Sequence, residues 1–252
     1  MTLKIQVVSD LHIEYRNNGY MNPLDYITPS GDILILAGDI GSLYKIEQLI
    51  QFLKGLSVYF KHILYVPGNS EYYMQTNYEL RSVTDLKQLF TRIESEVPNL
   101  TVLDCKSVQI GDTCIAGATL WSDLKCEIPS YIVRIYGMTK ELYLSMFQHD
   151  LKYINDITKY CQKNNLKLIC VTHHAPTFKV LDGCNHRQRE RFISLYVSNL
   201  DYMLTKSKIE TWICGHVHFN FDFLTELGTR VVGNMFGKPR DNIEDYRKDF
   251  IL

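Results

Sequence analysis

Asp10 and His12, Asp39, Asn69, His173 and His174, and His216 and His218 each stand just after a short apolar run. All of these side chains can bind a divalent cation, and none is a thiol. Imidazole and carboxylate without thiolate suit borderline ions such as Mn, Fe, Zn or Co. The set is too large for a single tetrahedral zinc. It is the right supply for two five- or six-coordinate ions that keep positions open for water. A carboxylate can bridge two such ions, whereas an imidazole cannot. Taken singly, each residue has an ordinary explanation. An Asp after a strand is a turn or cap residue, an Asn after Pro-Gly is a turn residue, and a lone His is a surface residue. A purely structural histidine cluster would need a hydrogen-bonding partner for every buried ring, at every one of these strand ends.

The apolar runs must position these groups. Ile33-Leu34-Ile35-Leu36 shows no alternation, so it reads as a strand buried on both faces, ending in Ala37-Gly38-Asp39. A charge at the carboxyl end of such a strand sits where open α/β sheets hold ligands. Leu3 to Val8 is the first strand. In extended chain, residues two apart point the same way, so Asp10 and His12 can face one point. Leu43, Ile46, Leu49, Ile50, Leu53 and Leu56 recur at helical spacing, which predicts a helix over 43–60. Ile63 to Val66 is a strand broken by Pro67-Gly68, and Asn69-Ser70-Glu71 follows. A second helix is expected over 79–96.

Val102-Leu103, Ser107 to Ile110 and Thr113 to Gly117 then read as short strands, with a hairpin turn at Gly111-Asp112. The change from βαβ units to hairpins predicts a second sheet in the same domain. Residues 125–165 are amphipathic and read as mostly helical, with Tyr131, Tyr136, Tyr143, Phe147 and Tyr153. They are expected to be core, with a cap over the site as the other role. Leu166 to Val171 is a buried strand ending in Thr172-His173-His174-Ala175-Pro176. Cys184 to Arg191, with His186, Arg187 and Arg189, is the compact basic run: a solvated loop or an anion clamp over the site. A helix is expected from about Ile193 to Leu204, a strand from Glu210 to Cys214, and a closing hairpin from Phe221 to Leu224 and Gly228 to Asn234. The last dozen residues are charged and read as peripheral.

A chain of 252 residues fits one large α/β domain or two small ones. The net charge of −1 gives no bulk attraction to nucleic acid or membrane. The seven cysteines are scattered, without C-x-x-C spacing, which predicts reduced thiols and a cytoplasmic location. The N-terminus has no signal-peptide pattern. No apolar run approaches the ~18 residues of a membrane span.

The ordered blocks D-x-H, G-D, G-N-x-E, H-H-x-P and G-H-x-H, from Asp10 to His218, resemble the calcineurin-like metallophosphoesterase superfamily. Small cytosolic bacterial-type members are similar in D-L-H-x-E, L-A-G-D-I-G, P-G-N-x-E-Y-Y, T-L-W-S-D, T-H-H-A-P, W-I-C-G-H-x-H and G-T-R-V-V-x-N. The resemblance implies a single α/β domain over residues 1–252, built as a two-sheet α/β/β/α sandwich with a helical cap-like segment around 125–165. All five blocks would lie on one edge. It implies two divalent ions, Mn first, with Fe, Zn or Mg as the other candidates. Asp10, His12, Asp39 and His218 would hold one ion. Asp39, Asn69, His173 and His216 would hold the other, with Asp39 bridging. His173 is preferred to His174 because His-His-x-Pro aligns without a gap, and the opposite assignment stays open.

One position departs from the family pattern. Ser70 stands where the family usually has the His thought to protonate the leaving oxygen. A hydroxyl cannot act as that acid near neutral pH. Asn69 fixes the backbone there, so Ser70 is expected to face the phosphate rather than a metal. His174, His186 or a metal-bound water are the candidate substitutes. Asn69, His174, Arg187 and Arg189 are the expected substrate contacts. The function so implied is a phosphoesterase that hydrolyses a nucleotide-like or small phosphodiester by attack of a metal-bridging hydroxide, with Asp39 central to it. The alternative is a metal- and phospho-ligand-binding protein that has lost catalysis. The expected partner is a small phosphorylated substrate, with no bulk nucleic acid and no membrane. Oligomeric state is left open.

Overall fold

Ile33, Ile35 and Ala37 point into one apolar cluster while Leu34 and Leu36 point into another, and all are buried. This strand, β2 (Ile33–Ala37), is therefore covered on both faces, as its unbroken aliphatic run requires. The computed structural model describes residues 4–16, 21–76, 80–182 and 190–252. β1 (Ile5–Val8), β2, β3 (His62–Val66) and β4 (Leu100–Val102) form a parallel sheet in that order. α1 (Ile46–Ser57) and α2 (Val83–Glu96) cross between its strands. A capping box between Ser82 and Asp85 starts α2.

The second sheet runs β5 (Lys106–Ile110), β6 (Thr113–Ala118), β7 (Lys167–Thr172), β8 (Thr211–Ile213), β10 (Arg230–Gly233) and β9 (Phe221–Leu224). β6, β7, β8 and β10 are parallel, and β5 and β9 close the edges antiparallel. Val7, Ile35, Leu64 and Val66 of the first sheet meet Ile115, Val171, Ile213 and Val232 of the second. α3 (Lys140–Lys163) packs Tyr143, Phe147 and Ile154 onto the outside of β6 and β7. The result is a single domain with the α/β/β/α layering that the family resemblance implied.

Three expectations are corrected. The stretch 125–139 is not helical: Ile132 and Val133 turn back onto the Pro129 carbonyl, Gly137 takes a left-handed φ of 70°, and the helix begins only where Thr139 caps Leu142. α3 lies on the sheet, while the irregular stretch before it borders the site. The helix expected over 193–204 is replaced by 3-10 turns at Glu190–Leu195 and Asp201–Met203. Between them, Ser198 donates to the Ala175 carbonyl and Leu200 to that of Pro176, so these amides are taken by the segment after β7 and not by a helix. The last dozen residues are structural. Phe250 enters the core between the sheets, Val7 donates to its carbonyl, and Leu252 donates to that of Ile5. No helix among the described residues is long and apolar enough to cross a membrane.

Candidate metal centre

Asp10, His12, Asp39, His216 and His218 all have positive φ, at 54°, 48°, 55°, 70° and 51°. Non-glycine residues seldom adopt this left-handed backbone, and its clustering marks functional sites. It also corrects one inference. Asp10 and His12 converge because each strand end turns back on itself, not because of strand alternation. Asp10 and His12 donate their backbone amides to the carbonyls of Gly38 and Asp39, which locks the first two loops together. Backbone must also come unusually close to the carboxylates. A Cβ on Gly68 would stand 2.2 Å from Asp39 Oδ1, and one on Gly215 would stand 2.5 Å from Asp10 Oδ2. Only glycine fits either place.

Two groups of ligand atoms result. Asp10, His12, Asp39 and His218 bring one atom each within 4.8 Å of one another, and Asp39, His173 and His216 do the same. Asp39 belongs to both and divides its oxygens between them. Its Oδ2 lies 3.6 Å from His12 Nε2, and its Oδ1 lies 3.2 Å from His173 Nε2. His174 lies outside both groups. Its ring is buried against that of His216, with centroids 4.2 Å apart, and its nitrogens are 3.4 Å from the Tyr143 hydroxyl and from the Thr119 carbonyl.

The hydrogen bonds fix each histidine tautomer. His12 Nδ1 donates to Glu14 at 3.1 Å, and His218 Nδ1 donates to Asp241 at 2.5 Å. His173 Nδ1 donates to the Ala37 carbonyl at 2.9 Å, and His216 Nε2 to the Leu195 carbonyl at 3.2 Å. In the neutral, ligand form of each ring the remaining nitrogen therefore presents a lone pair. Those lone pairs face each other: His12 Nε2 and His218 Nε2 are 3.1 Å apart, and His173 Nε2 and His216 Nδ1 are 3.2 Å apart. Without a shared proton or a cation, such contacts repel. Asn69 Oδ1 is buried at the same cavity with no hydrogen-bond partner. Oriented lone pairs, carboxylates and an orphan carbonyl oxygen fit divalent cations in both groups, and the outer partners on the rings are those that orient metal-binding imidazoles.

The electrostatics agree. Burial works against charge on Asp39, yet His173 and His12 hold its carboxyl well below the usual range. Burial likewise opposes charge on Asp10, but the hydrogen bond with His218 keeps its carboxyl lowered. His173 goes the other way: burial disfavours its charge, and Asp39 outweighs that and raises it to about 9. His174 is pushed down to about 3 by burial and by the charge of His173. Glu71 joins the loops. Its carboxylate accepts from the amides of Asp39 (3.1 Å), Ile40 (2.8 Å) and Gly68 (2.9 Å) and from the Tyr65 hydroxyl (2.6 Å).

A cavity of about 750 Å³ opens over both groups. Asn69, Ser70 and His174 reach it, as do Tyr73, Tyr131 and Tyr196. Tyr196 stacks on His216 with centroids 4.9 Å apart. Ser70, expected to face the phosphate, instead gives its hydroxyl to Asp39 Oδ2 at 2.7 Å while bordering the cavity. His186, Arg187 and Arg189 lie outside the described residues. Sequence reasoning missed Glu14 and Asp241 as partners of His12 and His218. Glu14 was within reach as the last residue of D-L-H-x-E. Asp241 had no local signal, since it meets His218 only through the fold.

A family model for calcineurin-like phosphoesterases matches residues 3–220. The chain belongs to this family. Its members are metal-dependent phosphoric ester hydrolases, which agrees with the two ligand groups. An uncharacterised protein of Acanthamoeba polyphaga mimivirus is 28% identical over 274 positions, covering 96% of this chain and 94% of that protein. Among solved structures, phosphopantetheinyl hydrolase from Mycobacterium tuberculosis superposes with a TM-score of 0.70 at 14% identity, over 94% of this chain and 90% of that one. A dimetal phosphatase from Danio rerio superposes with a TM-score of 0.53 at 11% identity, over 91% and 86% of the two chains. At these identities the two structures speak for the fold.

Proposed function

We propose that this phosphoesterase works with two divalent ions, Mn first among them, on a small phosphodiester. The observation that carries the reading is the division of Asp39 between two ligand groups whose histidine lone pairs face inward. Asp10, His12, Asp39 and His218 would hold one ion, and Asp39, Asn69, His173 and His216 the other. Such a pair supplies Lewis acidity and a water acidic enough to act as nucleophile at neutral pH.

The chain's own residues do the rest. Glu14, Asp241, Ala37 and Leu195 hold the four imidazoles in register. Glu71 keeps the Asp39 loop against the Asn69 loop. The Tyr131 and Tyr196 side offers rings to the organic part of a substrate. Ser70 offers no acid, which favours esters whose leaving group departs with little protonation. That supports a diester with a stabilised leaving group over an alkyl monoester. The six described cysteines are free, which suits a reducing, cytoplasm-like compartment. The partner is the small phosphorylated substrate.

The test is hydrolysis of bis-p-nitrophenyl phosphate by Mn-loaded protein. Activity should vanish with chelator and return with Mn, and Asp39→Asn should lack it. Activity that survives exhaustive chelation would sink the proposal. A second reading rests on the Ser70 hydroxyl being engaged by Asp39: a protein that binds metals and phosphorylated ligands without turning them over. It takes the lead if Mn-loaded protein holds two ions and hydrolyses no mono- or diester.

A further inference from the structure

Tyr15 stands beside the first ligand group, its ring 5.8 Å from that of His12. Three cations line the same cavity as Tyr15. Lys238 Nζ lies 5.6 Å over the Tyr15 ring. Arg134 and Arg240 are the other two. All four residues border the cavity.

None of the three has a carboxylate at hydrogen-bond distance among the described residues. Arg134 and Lys238 are half-buried, and neither forms an ion pair among the described residues. Arg240 only grazes Asp241, at 4.0 Å. Asp241 is already committed, since its Oδ2 accepts from His218 Nδ1 and from the Lys238 backbone amide. Two half-buried cations and the exposed Arg240, lining one cavity beside a site for phosphoryl groups, focus a positive field where an anion can lie. A carboxylate needs one cation. A terminal phosphate carries up to two charges over three oxygens, and guanidinium forks with an ammonium match it.

We propose that Arg134, Lys238 and Arg240 form a second anion subsite, and that the substrate carries another phosphate group besides the one at the metal centre. This rests on the phosphodiesterase reading and narrows it to a bisphosphorylated substrate. The Tyr131 and Tyr196 side remains for the organic part. Three cations in one cavity suit a single phosphate rather than a polynucleotide track.

Two chromogenic diesters test it, because they differ only in the second phosphate. They are thymidine 5′-(p-nitrophenyl phosphate) and its 3′-phosphorylated counterpart, assayed on the Mn-loaded full chain. The expected result is a kcat/KM at least about tenfold higher for the 3′-phosphorylated ester, carried by KM, as one or two charge-assisted hydrogen bonds would give. In the double variant Arg134→Ala/Lys238→Ala the ratio should fall to about one, and in Arg134→Lys/Lys238→Arg it should persist. The ratio is internal, so partial misfolding does not disturb it. Calorimetric binding of thymidine 3′,5′-bisphosphate against thymidine 5′-monophosphate gives the same comparison without turnover. If neither ester is hydrolysed but the bisphosphate preference is present and lost in the alanine variant, the subsite stands and the hydrolase reading falls. Equal values for the two ligands in the unaltered protein, or a preference that survives the alanine variant, overturn the subsite.

Discussion

Ser70 holds both oxygens of Asp39: its amide donates to Oδ1 at 2.8 Å and its hydroxyl to Oδ2 at 2.7 Å. The residue therefore steers the shared carboxylate and leaves no proton for a departing oxygen. Phenolate leaving groups need little protonation, and alkoxides need much. Activity should fall steeply along a leaving-group series as basicity rises. Ser70→His should flatten that slope, recovering up to ~10²–10⁴ on the most basic esters, the worth of a general acid. Equal slopes in the two proteins would show that protonation comes from elsewhere, with His174 and His186 the next residues to change.

Asp39 serves both ligand groups, while His12 serves one. Elemental analysis after Mn loading should give two ions per chain. Asp39→Asn should lose both together, and His12→Ala should weaken mainly one. A stoichiometry that never exceeds one ion per chain under excess Mn would refute the two-ion centre.

Asp241 orients His218 from outside the ligand group. Asp241→Asn removes the charge that fixes the imidazole. One Mn affinity should drop by about 10–100-fold, the usual effect of losing such a partner, with the other nearly unchanged. Competitive titration against a fluorescent chelator reads both affinities. An unchanged pair of affinities would mean that His218 is held by packing alone.

His173 is raised to about 9 in the metal-free protein by Asp39, and a ligand nitrogen must be unprotonated to bind. Below pH ~6.5, the ordinary imidazole value, the charged pair contributes fully to metal-free stability. That contribution is lost as pH rises through about 9. The melting temperature of chelated protein should therefore fall across this window, while Mn affinity rises. Calorimetry at pH 7 in buffers of different ionisation enthalpy should reveal proton release on Mn binding. Identical heats in all buffers would exclude it.

How much of this was legible in the sequence depended on how local each cause was. β2 announced itself because Ile33 to Ala37 alternates between two apolar clusters, and a run with no polar face has no other home. The ligand blocks were readable for a related reason: each sits where a buried strand must surface. The backbone that aims them was not. Nothing in Asp10 or His12 specifies a positive φ; the loop-to-loop hydrogen bonds of Gly38 and Asp39 impose it. The helix expected after Ile193 failed because Ala175 and Pro176 compete for its amides, a contact invisible to periodicity. Asp241 and Phe250 looked peripheral because charge surrounds them in sequence. In space, one meets His218 and the other meets the core.

The left-handed positions at the metal edge also bear on how long a molecule survives. Asp tolerates that backbone, but His12, His216 and His218 each carry roughly 1–2 kcal/mol of strain in it. Together they are a sizeable part of the ~5–15 kcal/mol that keeps a typical domain folded. Bound ions offset this strain. Chains made in a metal-starved cell would spend longer open and fall to proteases sooner. Divalent-ion supply then governs how much of the protein exists, as well as how fast each copy works.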